Sequence, residues 1–293
     1  MPELPEVETV RRGLEPAMAG QRIERLELRR KDLRFPFPPQ FRERLEGQTI
    51  TALSRRAKYL LLDLSSGEVL ILHLGMSGRF TVEIGGKKAG TAQYHYETAS
   101  DAPHDHVVFH LSNGARIIYN DPRRFGFMDL TPRDGIETSK HFQNMGIEPL
   151  GNGLNGELIR ALFAGKKTPL KAALLDQRLI AGLGNIYVCE ALHRAHLSPM
   201  RLAGTLDNNR RAMRGKADLL ASVIRDVLNE AVAAGGSSLR DYAQTDGSLG
   251  YLQHRFRVYD REDEPCPTPE CIGVVKRAVQ SGRSTFYCPE CQK

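Results

Sequence analysis

Residues 59–74 have the sequence YLLLDLSSGEVLILHL, in which two apolar runs flank the turn Ser65-Ser66-Gly67. Short apolar runs on either side of a polar, glycine-containing turn predict a β-hairpin. A second hairpin is predicted at residues 106–119, HVVFHLSNGARIIY, because Asn-Gly is a strong two-residue turn signal. Since no helical pattern separates these strands, we expect an antiparallel sandwich or barrel across roughly residues 20–130.

The chain before this sheet region begins with a predicted helix over residues 8–20, ETVRRGLEPAMAG, which Gly20 can end. Its apolar face extends to the preceding residues and has helical spacing: Val7, Val10, Leu14 and Met18. Residues 22–30, RIERLELRR, alternate apolar and charged side chains, which predicts a half-buried strand. Residues 85–105 are polar and rich in small side chains, and we expect a long surface loop there.

The pattern becomes helical after about residue 152. Four segments carry apolar residues three or four apart: LNGELIRALFAG (154–165), PLKAALLDQRLIAG (169–182), NIYVCEALHRAH (185–196) and RRAMRGKADLLASVIRDVLNEAVAAGG (210–236). The tail returns to short strands around four cysteines. The predicted fold class is therefore α+β with several domains: an antiparallel β-sandwich with an N-terminal helix, a helical domain and a C-terminal β-hairpin.

Composition and charge limit the classes of function. The chain has 293 residues and a net charge of +6, and its 41% hydrophobic and 26% charged residues are ordinary for a globular protein. Residues 151–239 carry 12 Lys and Arg against 7 Asp and Glu, so the basic excess lies mid-chain. A local basic surface suits a polyanionic partner, although a solvated helical face would have the same composition. No apolar run approaches 18 residues and no export signal is evident, so we expect a cytoplasmic protein without a membrane span.

Four of the five cysteines form two close pairs at the C-terminus, spaced as Cys-x4-Cys and Cys-x2-Cys. In a protein that is not exported, clustered cysteines favour a metal site over disulfides. Two thiolate pairs joined by a hairpin-length spacer suit one tetrahedral, structural Zn²⁺. The predicted ligands are Cys266, Cys271, Cys288 and Cys291. Cys189 lies alone in an apolar helix and is expected to be a buried small residue.

Two further stretches admit both a structural and a chemical interpretation. The turn Gly182-Leu183-Gly184-Asn185 is either a packed helix connection or an anion site at a helix start. The opening MPELPEVETV is either an ordinary helix entry or, once Met1 is removed, a secondary amine on Pro2 with carboxylates beside it. Such an amine can attack a carbonyl-like carbon and form a Schiff base.

Together, MPELPEVETVRRGL (1–14), the turn at 182–185 and SGRSTFYCPECQK (281–293) closely resemble the bacterial formamidopyrimidine-DNA glycosylases, also called 8-oxoguanine DNA glycosylases. The resemblance covers essentially the whole chain. It implies a β-sandwich, a helix–two-turn–helix domain and a zinc finger, in an enzyme that removes oxidised purines and nicks the strand by β,δ-elimination. The implied domains are 1–135 (catalytic β-sandwich), 150–235 (helix–two-turn–helix), 236–264 (lesion-side loop and connector) and 265–293 (zinc finger).

The resemblance also implies roles for individual residues. Pro2 would be the nucleophile at the sugar C1′ and Glu3 the acid or base that assists ring opening. Lys58 in RRAKYLLL and Arg283 in the zinc hairpin would complete the catalytic set as phosphate contacts. The implied DNA-binding residues are Glu6, Met76, His106, Arg123, Phe125, Lys171, Asn185 and Tyr251.

Met76, Arg123 and Phe125, which lie in HLGMSGRF (73–80) and DPRRFG (121–126), resemble the residues that fill the gap left by a base turned out of the helix. We call these three the wedge residues. The expected partner is double-stranded DNA containing oxidised purines, bound by a monomer of the bacterial cytoplasm.

Two alternatives remain at this point. One is a sister endonuclease that prefers oxidised pyrimidines, but its start resembles PEGPE rather than the present PELPE, and it lacks the wedge residues. The other is a zinc-containing protein that binds damaged DNA without cutting it, for which Pro2 and Glu3 would have no use. The sequence departs from the family in its Cys-x4-Cys pair, where two intervening residues are usual, and in the long segment at 85–105.

Overall fold

The computed structural model describes residues 2–85, 87–88, 103–207, 211–236 and 255–293. The chain forms two compact units. Unit 1 comprises Met1–Gln143 and Ala234–Gln253, and unit 2 comprises Asn144–Ala233 and His254–Lys293. The division into four segments proposed above stays a prediction.

Unit 1 begins with helix α1 (Leu4–Met18), as the apolar spacing predicts, and Gly20 follows with a φ of +75°. Its two antiparallel sheets are built from nine strands: β1 (Ile23–Leu28), β2 (Ile50–Arg56), β3 (Tyr59–Leu64), β4 (Glu68–His73), β5 (Arg79–Ile84), β6 (Lys87–Lys88), β7 (Asp105–Leu111), β8 (Arg116–Asn120) and β9 (Phe127–Pro132). A short helix α2 (Phe41–Leu45), which the sequence pattern did not predict, lies between β1 and β2, and a 3₁₀ turn follows β9 at Arg133–Gly135.

The five-stranded sheet has the order β1-β7-β8-β5-β6 and the four-stranded sheet the order β2-β3-β4-β9. Both predicted hairpins are confirmed: β3 pairs with β4 from Tyr59–His73 to Asp63–Val69, and β7 pairs with β8 around the Asn113-Gly114 turn. The sheets contribute alternate side chains, such as Leu60, Leu62, Phe109 and Ile117, to one apolar core. The predicted antiparallel two-sheet fold is confirmed.

Helix α1 completes this core with Val7, Val10, Leu14 and Met18, each only 1% exposed. Burial of such side chains stabilises the fold by about 1.5–3 kcal/mol each, which anchors the helix whose first turn contains Glu3 and Glu6. Most of the loop predicted at 85–105 lies outside the described residues. At its ends, Lys87–Lys88 extends the sheet beside β5, and Asp105 begins β7.

Unit 2 contains α3 (Gly156–Phe163), α4 (Leu170–Leu175), α5 (Asn185–Arg194), a 3₁₀ turn (Ala203–Asp207) and α6 (Arg211–Ala233). Helices α3 and α5 both pack on α6. A Cβ on Gly156 would lie 2.0 Å from Asp218 Oδ1, so only glycine allows α3 to approach α6 this closely.

The predicted helix over 169–182 is wrong beyond Leu175, because Asp176 ends α4 in an extended conformation. The Gln177 amide then donates to the carbonyls of Leu175 and Leu183, which stabilises an irregular connection.

The unit ends in the antiparallel hairpin β10 (Lys276–Gln280) and β11 (Arg283–Tyr287), which packs on α5. Cys189 on α5 is 1% exposed and packs against Val258, Val275 and Phe286, as expected for a structural cysteine. Glu190, 2% exposed, accepts hydrogen bonds from the backbone N–H groups of residues 257, 258 and 259, which fixes the chain that leads to the hairpin. Among the described helices, none has both the length and the apolar content that crossing a membrane requires.

Candidate functional site

The N-terminus of α1 holds two carboxyl groups beside Pro2. Glu3 is the N-cap, and its N–H donates to Glu6 Oε2 at 2.8 Å in a reciprocal capping box. Pro2, Glu3 and Glu6 are all buried, with Glu3 3% and Glu6 2% exposed. The capping box satisfies helix N–H groups that would otherwise have no partner, and it fixes the first residues of the chain. Pro2 therefore lies at a rigid helix entry with carboxyl groups nearby.

Gly236 lies against this helix entry, still within unit 1. A Cβ at Gly236 would come within 3.1 Å of Glu6 Cγ and Oε1, and its φ of +79° also favours glycine. Nothing in the sequence pattern indicates that Gly236 belongs to this site.

Lys58 lies in the turn between β2 and β3 and is 7% exposed. The preceding residue, Ala57, has a φ of +51°, and Arg55 donates to its carbonyl at 2.9 Å. Arg55 also contacts Glu8 of α1, with 3.3 Å between Nε and Oε2. The turn that carries Lys58 is thus tied by an ion pair to the helix that begins at Pro2 and Glu3.

Glu8 also binds two arginines of its own helix. Burial raises the pKa of Glu8, but hydrogen bonds from Arg11 and Arg12 and the charge of Arg55 together hold that pKa below its usual value. Glu8 is therefore an anion at neutral pH, and it holds Arg55 electrostatically.

His73, at the end of β4, is a second neighbour of Lys58 that the sequence did not reveal. Burial lowers the pKa of His73 to about 4, and the charges of Lys58, Arg34 and His141 add to that effect. Its ring stacks on Phe127 with 5.4 Å between centroids, and its Nδ1 accepts from Gly75 N–H at 3.0 Å. A neutral His73 therefore orients the turn that leads to Met76.

The structure brings the three wedge residues together. A Cβ on Gly75 would lie 2.3 Å from the backbone of residues 125 and 126, so the Met76 turn is in direct contact with the Phe125 turn. Phe125 is 44% exposed, and the Arg123 guanidinium carbon lies 5.1 Å from the centroid of its ring. Phe125 therefore presents an exposed ring with a cation over it, and the half-buried Met76 lies in the adjoining turn.

His106, predicted to contact DNA, is buried against the start of the segment that carries Arg123 and Phe125. It is 3% exposed, with Nε2 2.9 Å from the Asp121 carbonyl oxygen. Burial lowers its pKa, so the ring is neutral and donates to that carbonyl. The hydrogen bond from His106 to the Asp121 carbonyl therefore stabilises the backbone at the start of the DPRRFG segment.

Three predicted residues of unit 2 meet at the start of β11. Lys171 Nζ donates to the Ser284 carbonyl at 2.9 Å and to Thr285 Oγ1 at 2.6 Å. Asn185 Nδ2 donates to the same Ser284 carbonyl at 2.9 Å, while its buried Oδ1 has no hydrogen-bond partner among the described residues. Arg283, one residue before Ser284, is exposed. Lys171 and Asn185 therefore hold the strand that presents Arg283. Tyr251 lies outside the described residues.

The four predicted zinc ligands converge. The sulfur atoms of Cys266, Cys271, Cys288 and Cys291 all lie within 4.8 Å of one another. The sulfur atoms of Cys266 and Cys291 are 3.7 Å apart, as are those of Cys271 and Cys288. Thiolates about 2.3 Å from a tetrahedral zinc are about 3.8 Å apart, so the donor set fits Zn²⁺. A Cβ on Gly273 would lie 2.5 Å from Cys288 Sγ, so this glycine allows the Cys-x4-Cys turn to approach the second pair.

The groups around the four cysteines give their thiols different pKa values. Burial raises the pKa of Cys266, but hydrogen bonds from Thr268 and from other cysteines bring it to about 7, so this thiol ionises first. Burial and the neighbouring cysteines raise the pKa of Cys291 to about 12. Four sulfurs this close cannot all be thiolates without a cation between them.

Comparison with known proteins places these features in one context. A model of the formamidopyrimidine-DNA glycosylase N-terminal domain matches residues 1–128, and a model of the formamidopyrimidine-DNA glycosylase H2TH domain matches residues 145–243. A formamidopyrimidine-DNA glycosylase from Bradyrhizobium sp. (strain ORS 278) is 61% identical over 293 residues and covers 100% of both chains. One from Methylobacterium sp. (strain 4-46) is 64% identical over 294 residues, with 100% of this chain and 99% of the relative covered.

Solved structures agree with this relationship. The MutM (Fpg) protein from Thermus thermophilus aligns with a TM-score of 0.83 and 38% identity, covering 99% of this chain and 98% of that one. The Lactococcus lactis Fpg in complex with abasic-site DNA aligns with a TM-score of 0.84 and 31% identity over 100% of both chains.

These findings define the class of protein as a DNA glycosylase of base-excision repair. Within that class, the chain belongs to the formamidopyrimidine-DNA glycosylase family. The family resemblance noted from the sequence is confirmed, and the alternative of a protein that binds DNA without catalysis is wrong.

Proposed function

We propose that this glycosylase removes oxidised purines from double-stranded DNA through Pro2 and then cleaves the strand at the resulting sugar by β,δ-elimination. The observation that carries the proposal is the start of α1, where a capping box buries two carboxyl groups beside Pro2. Proline and acids are common at a helix start, but here Pro2 and both carboxyl groups are buried together.

The chemistry requires the free amine of Pro2, so Met1 must be removed. The unprotonated nitrogen attacks the sugar C1′, the C1′–base bond breaks, and the electron pair of that bond leaves with the base. The new C–N bond leaves a proton on the Pro2 nitrogen, which the Glu3 carboxylate takes up and then gives to the sugar ring oxygen as the bond from C1′ to that oxygen breaks. The nitrogen lone pair then forms an iminium between Pro2 and C1′, and water protonates the departing base. The iminium acidifies the neighbouring carbon, so the two phosphates can be eliminated in turn.

Charges in both units support a polyanionic substrate. Lys58, fixed by Arg55 and Glu8, is proposed to bind the phosphate beside the lesion, and Arg283 with Asn185 to bind phosphates of the same strand. The zinc ion, held by the four cysteines, would fix the hairpin that carries Arg283 and would take no part in the chemistry. The wedge residues are proposed to replace the extruded base, with Lys171, His106 and Glu6 supporting the DNA-facing segments.

Preference for oxidised purines over oxidised pyrimidines is also a proposal. It is supported by Leu4 at the position where the sister endonucleases resemble PEGPE, and by the intact DPRRFG segment. Because the substrate is chromosomal DNA, we place the enzyme in the bacterial cytoplasm, where it would be nucleoid-associated when bound. We propose that it acts as a monomer, since one chain carries every predicted catalytic residue and zinc ligand.

The test compares Pro2→Gly with the wild-type enzyme on a duplex that contains 8-oxoguanine opposite cytosine. Pro2→Gly should keep its affinity for DNA and lose at least about a hundredfold in single-turnover excision, because glycine presents a flexible primary amine in place of the rigid secondary amine of proline. Pro39→Gly, at an exposed loop position, is the matched control and should excise normally. Unchanged excision by Pro2→Gly would refute the nucleophile, and excision of oxidised pyrimidines in preference to 8-oxoguanine would refute the substrate class.

A further inference from the structure

Asp121 is a buried carboxylate that the proposed chemistry does not use. It is 0% exposed and accepts three hydrogen bonds from three different segments of unit 1. Ser77 Oγ donates to Oδ1 at 2.5 Å, while Gly126 N–H donates to Oδ2 at 2.8 Å and Tyr119 OH to Oδ2 at 3.2 Å. A buried carboxylate is costly unless such donors satisfy it, so this arrangement is specific.

Two of the three donors belong to the two turns that carry the wedge residues, and the third, Tyr119, belongs to β8. Ser77 follows Met76, and Gly126 follows Phe125. Ser77 Oγ also accepts from Arg123 N–H at 3.1 Å, so one hydroxyl connects Asp121 to the backbone of the second turn. Asp121 is thus bonded directly to the residues that follow Met76 and Phe125, and through Ser77 Oγ to Arg123 itself.

Steric contact leaves these turns little freedom. A Cβ on Gly78 would lie 2.5 Å from Tyr119 OH, and one on Gly126 would lie 1.8 Å from the same oxygen. The Tyr119 hydroxyl therefore fills the space between the turns. Burial and the adjacent Asp121 raise the pKa of Tyr119 well above its usual value, which keeps it a hydrogen-bond donor.

We propose that Asp121 is a positioning residue that locks the Met76 turn and the Arg123–Phe125 turn into one preformed wedge for base extrusion. This inference rests on the proposed function, since it assigns a purpose to the wedge residues. Extruding a stacked base costs a few kcal/mol. A wedge that must first be ordered loses conformational entropy when it inserts, so it offsets less of that cost than a rigid wedge does. Asp121 itself touches neither the DNA nor the reacting atoms in this scheme.

The test uses Asp121→Asn, which keeps the shape of the side chain and replaces one acceptor oxygen with an NH₂ donor. If the NH₂ faces Gly126 and Tyr119, the bond from Gly126 N–H is lost, because a backbone N–H cannot accept. If it faces Ser77, the hydroxyl must turn to accept it, so the hydroxyl hydrogen loses its acceptor. In both orientations the negative charge that strengthens these bonds is also lost. The variant is compared with Asp134→Asn, an exposed aspartate in the same unit. Each protein is assayed on a duplex with 8-oxoguanine and on the same duplex with a preformed abasic site, which has no base to extrude.

Asp121→Asn should slow excision of 8-oxoguanine by about tenfold to a hundredfold, the effect expected from one unsatisfied buried group. Cleavage of the abasic duplex by Asp121→Asn should stay within about twofold of wild type, because this substrate has no base to extrude. Both activities of Asp134→Asn should also stay within about twofold of wild type, because this variant leaves the wedge residues and their supports unchanged. A 2-aminopurine placed next to the lesion should show slower unstacking only in Asp121→Asn.

Ser77→Ala keeps the proposal testable if Asp121→Asn fails to fold, because it removes a single hydroxyl. It should show the same selective loss, smaller in size. Equal losses on both duplexes, or no loss on either, would overturn the positioning role. A wild-type enzyme inactive on both duplexes would instead mean that the proposed function has failed.

Discussion

His73 allows the electrostatics of the Lys58 neighbourhood to be tested quantitatively. Its pKa lies near 4 because the ring is buried close to Lys58, Arg34 and His141, whereas an unfolded chain has a histidine pKa of about 6.5. The unfolded state therefore binds the proton more tightly. The stability contributed by a neutral His73 is full above pH 6.5 and falls as the pH drops from 6.5 towards 4. Linkage gives a loss of about 2 kcal/mol between pH 7 and pH 5.

The perturbation is His73→Gln, whose amide oxygen can still accept from Gly75 N–H. The free energy of unfolding of unit 1 should fall by about 2 kcal/mol more in the wild type than in His73→Gln between pH 7 and pH 5. Urea unfolding at both pH values measures the difference, and an NMR titration of the His73 ring measures its pKa directly. His104→Gln, at an exposed position, is the control and should keep the pH dependence of the wild type.

A His73 pKa near 6.5, or equal pH dependence in the wild type and His73→Gln, would refute the electrostatic reasoning. Protonation of Nδ1 would also break its bond from Gly75 N–H and loosen the Met76 turn. Acid should therefore slow excision of 8-oxoguanine before it slows cleavage at a preformed abasic site.

Three further predictions follow from other parts of the molecule. Cys271→Ser should bind Zn²⁺ at least about tenfold more weakly in a chelator competition, whereas Cys189→Ala should keep one zinc per chain; equal zinc content after the same competition would contradict the assigned ligands. Glu190→Ala should lower the unfolding free energy of unit 2 by about 3 kcal/mol or more, because three backbone N–H groups lose their acceptor; a loss below about 1 kcal/mol in urea unfolding would show that water replaces the carboxylate. A chain that retains Met1 should bind lesion DNA in a gel-shift assay with unchanged affinity and leave it uncut, and measurable cutting would mean that the amine of Pro2 is not required.

Features encoded within a few consecutive residues could be predicted from the sequence. The hairpin at 59–74 follows from two apolar runs and a glycine turn, and α1 follows from the spacing of its apolar residues. The convergence of the four cysteines was equally local, because it follows from two close pairs. The four-residue spacing of the first pair departs from the family, and the turn is accommodated by Gly273, where a Cβ would lie 2.5 Å from Cys288 Sγ.

Features that depend on distant contacts could not be predicted. Asp121 and Ser77 are 44 residues apart, and nothing in the DPRRFG segment indicates that its aspartate is the buried acceptor for two turns. The neutral state of His73 likewise depends on Lys58 and Arg34, which other strands and loops bring near it. The early end of α4 could not be predicted, because the side-chain bonds of Gln177 stabilise the connection that follows it. The short α2 could not be predicted either, because a helix of five residues with only Phe41 and Leu45 buried is too short to show a periodic pattern.

The central claim is that Pro2 forms a covalent bond to the sugar of the damaged nucleotide. Borohydride reduction during turnover of a duplex with 8-oxoguanine opposite cytosine measures this most directly, followed by peptide mapping of the adduct. The account predicts one cross-linked peptide that begins at Pro2 and lacks Met1. An adduct mapped to a lysine such as Lys58, or no adduct from an enzyme that excises the base at a normal rate, would contradict it.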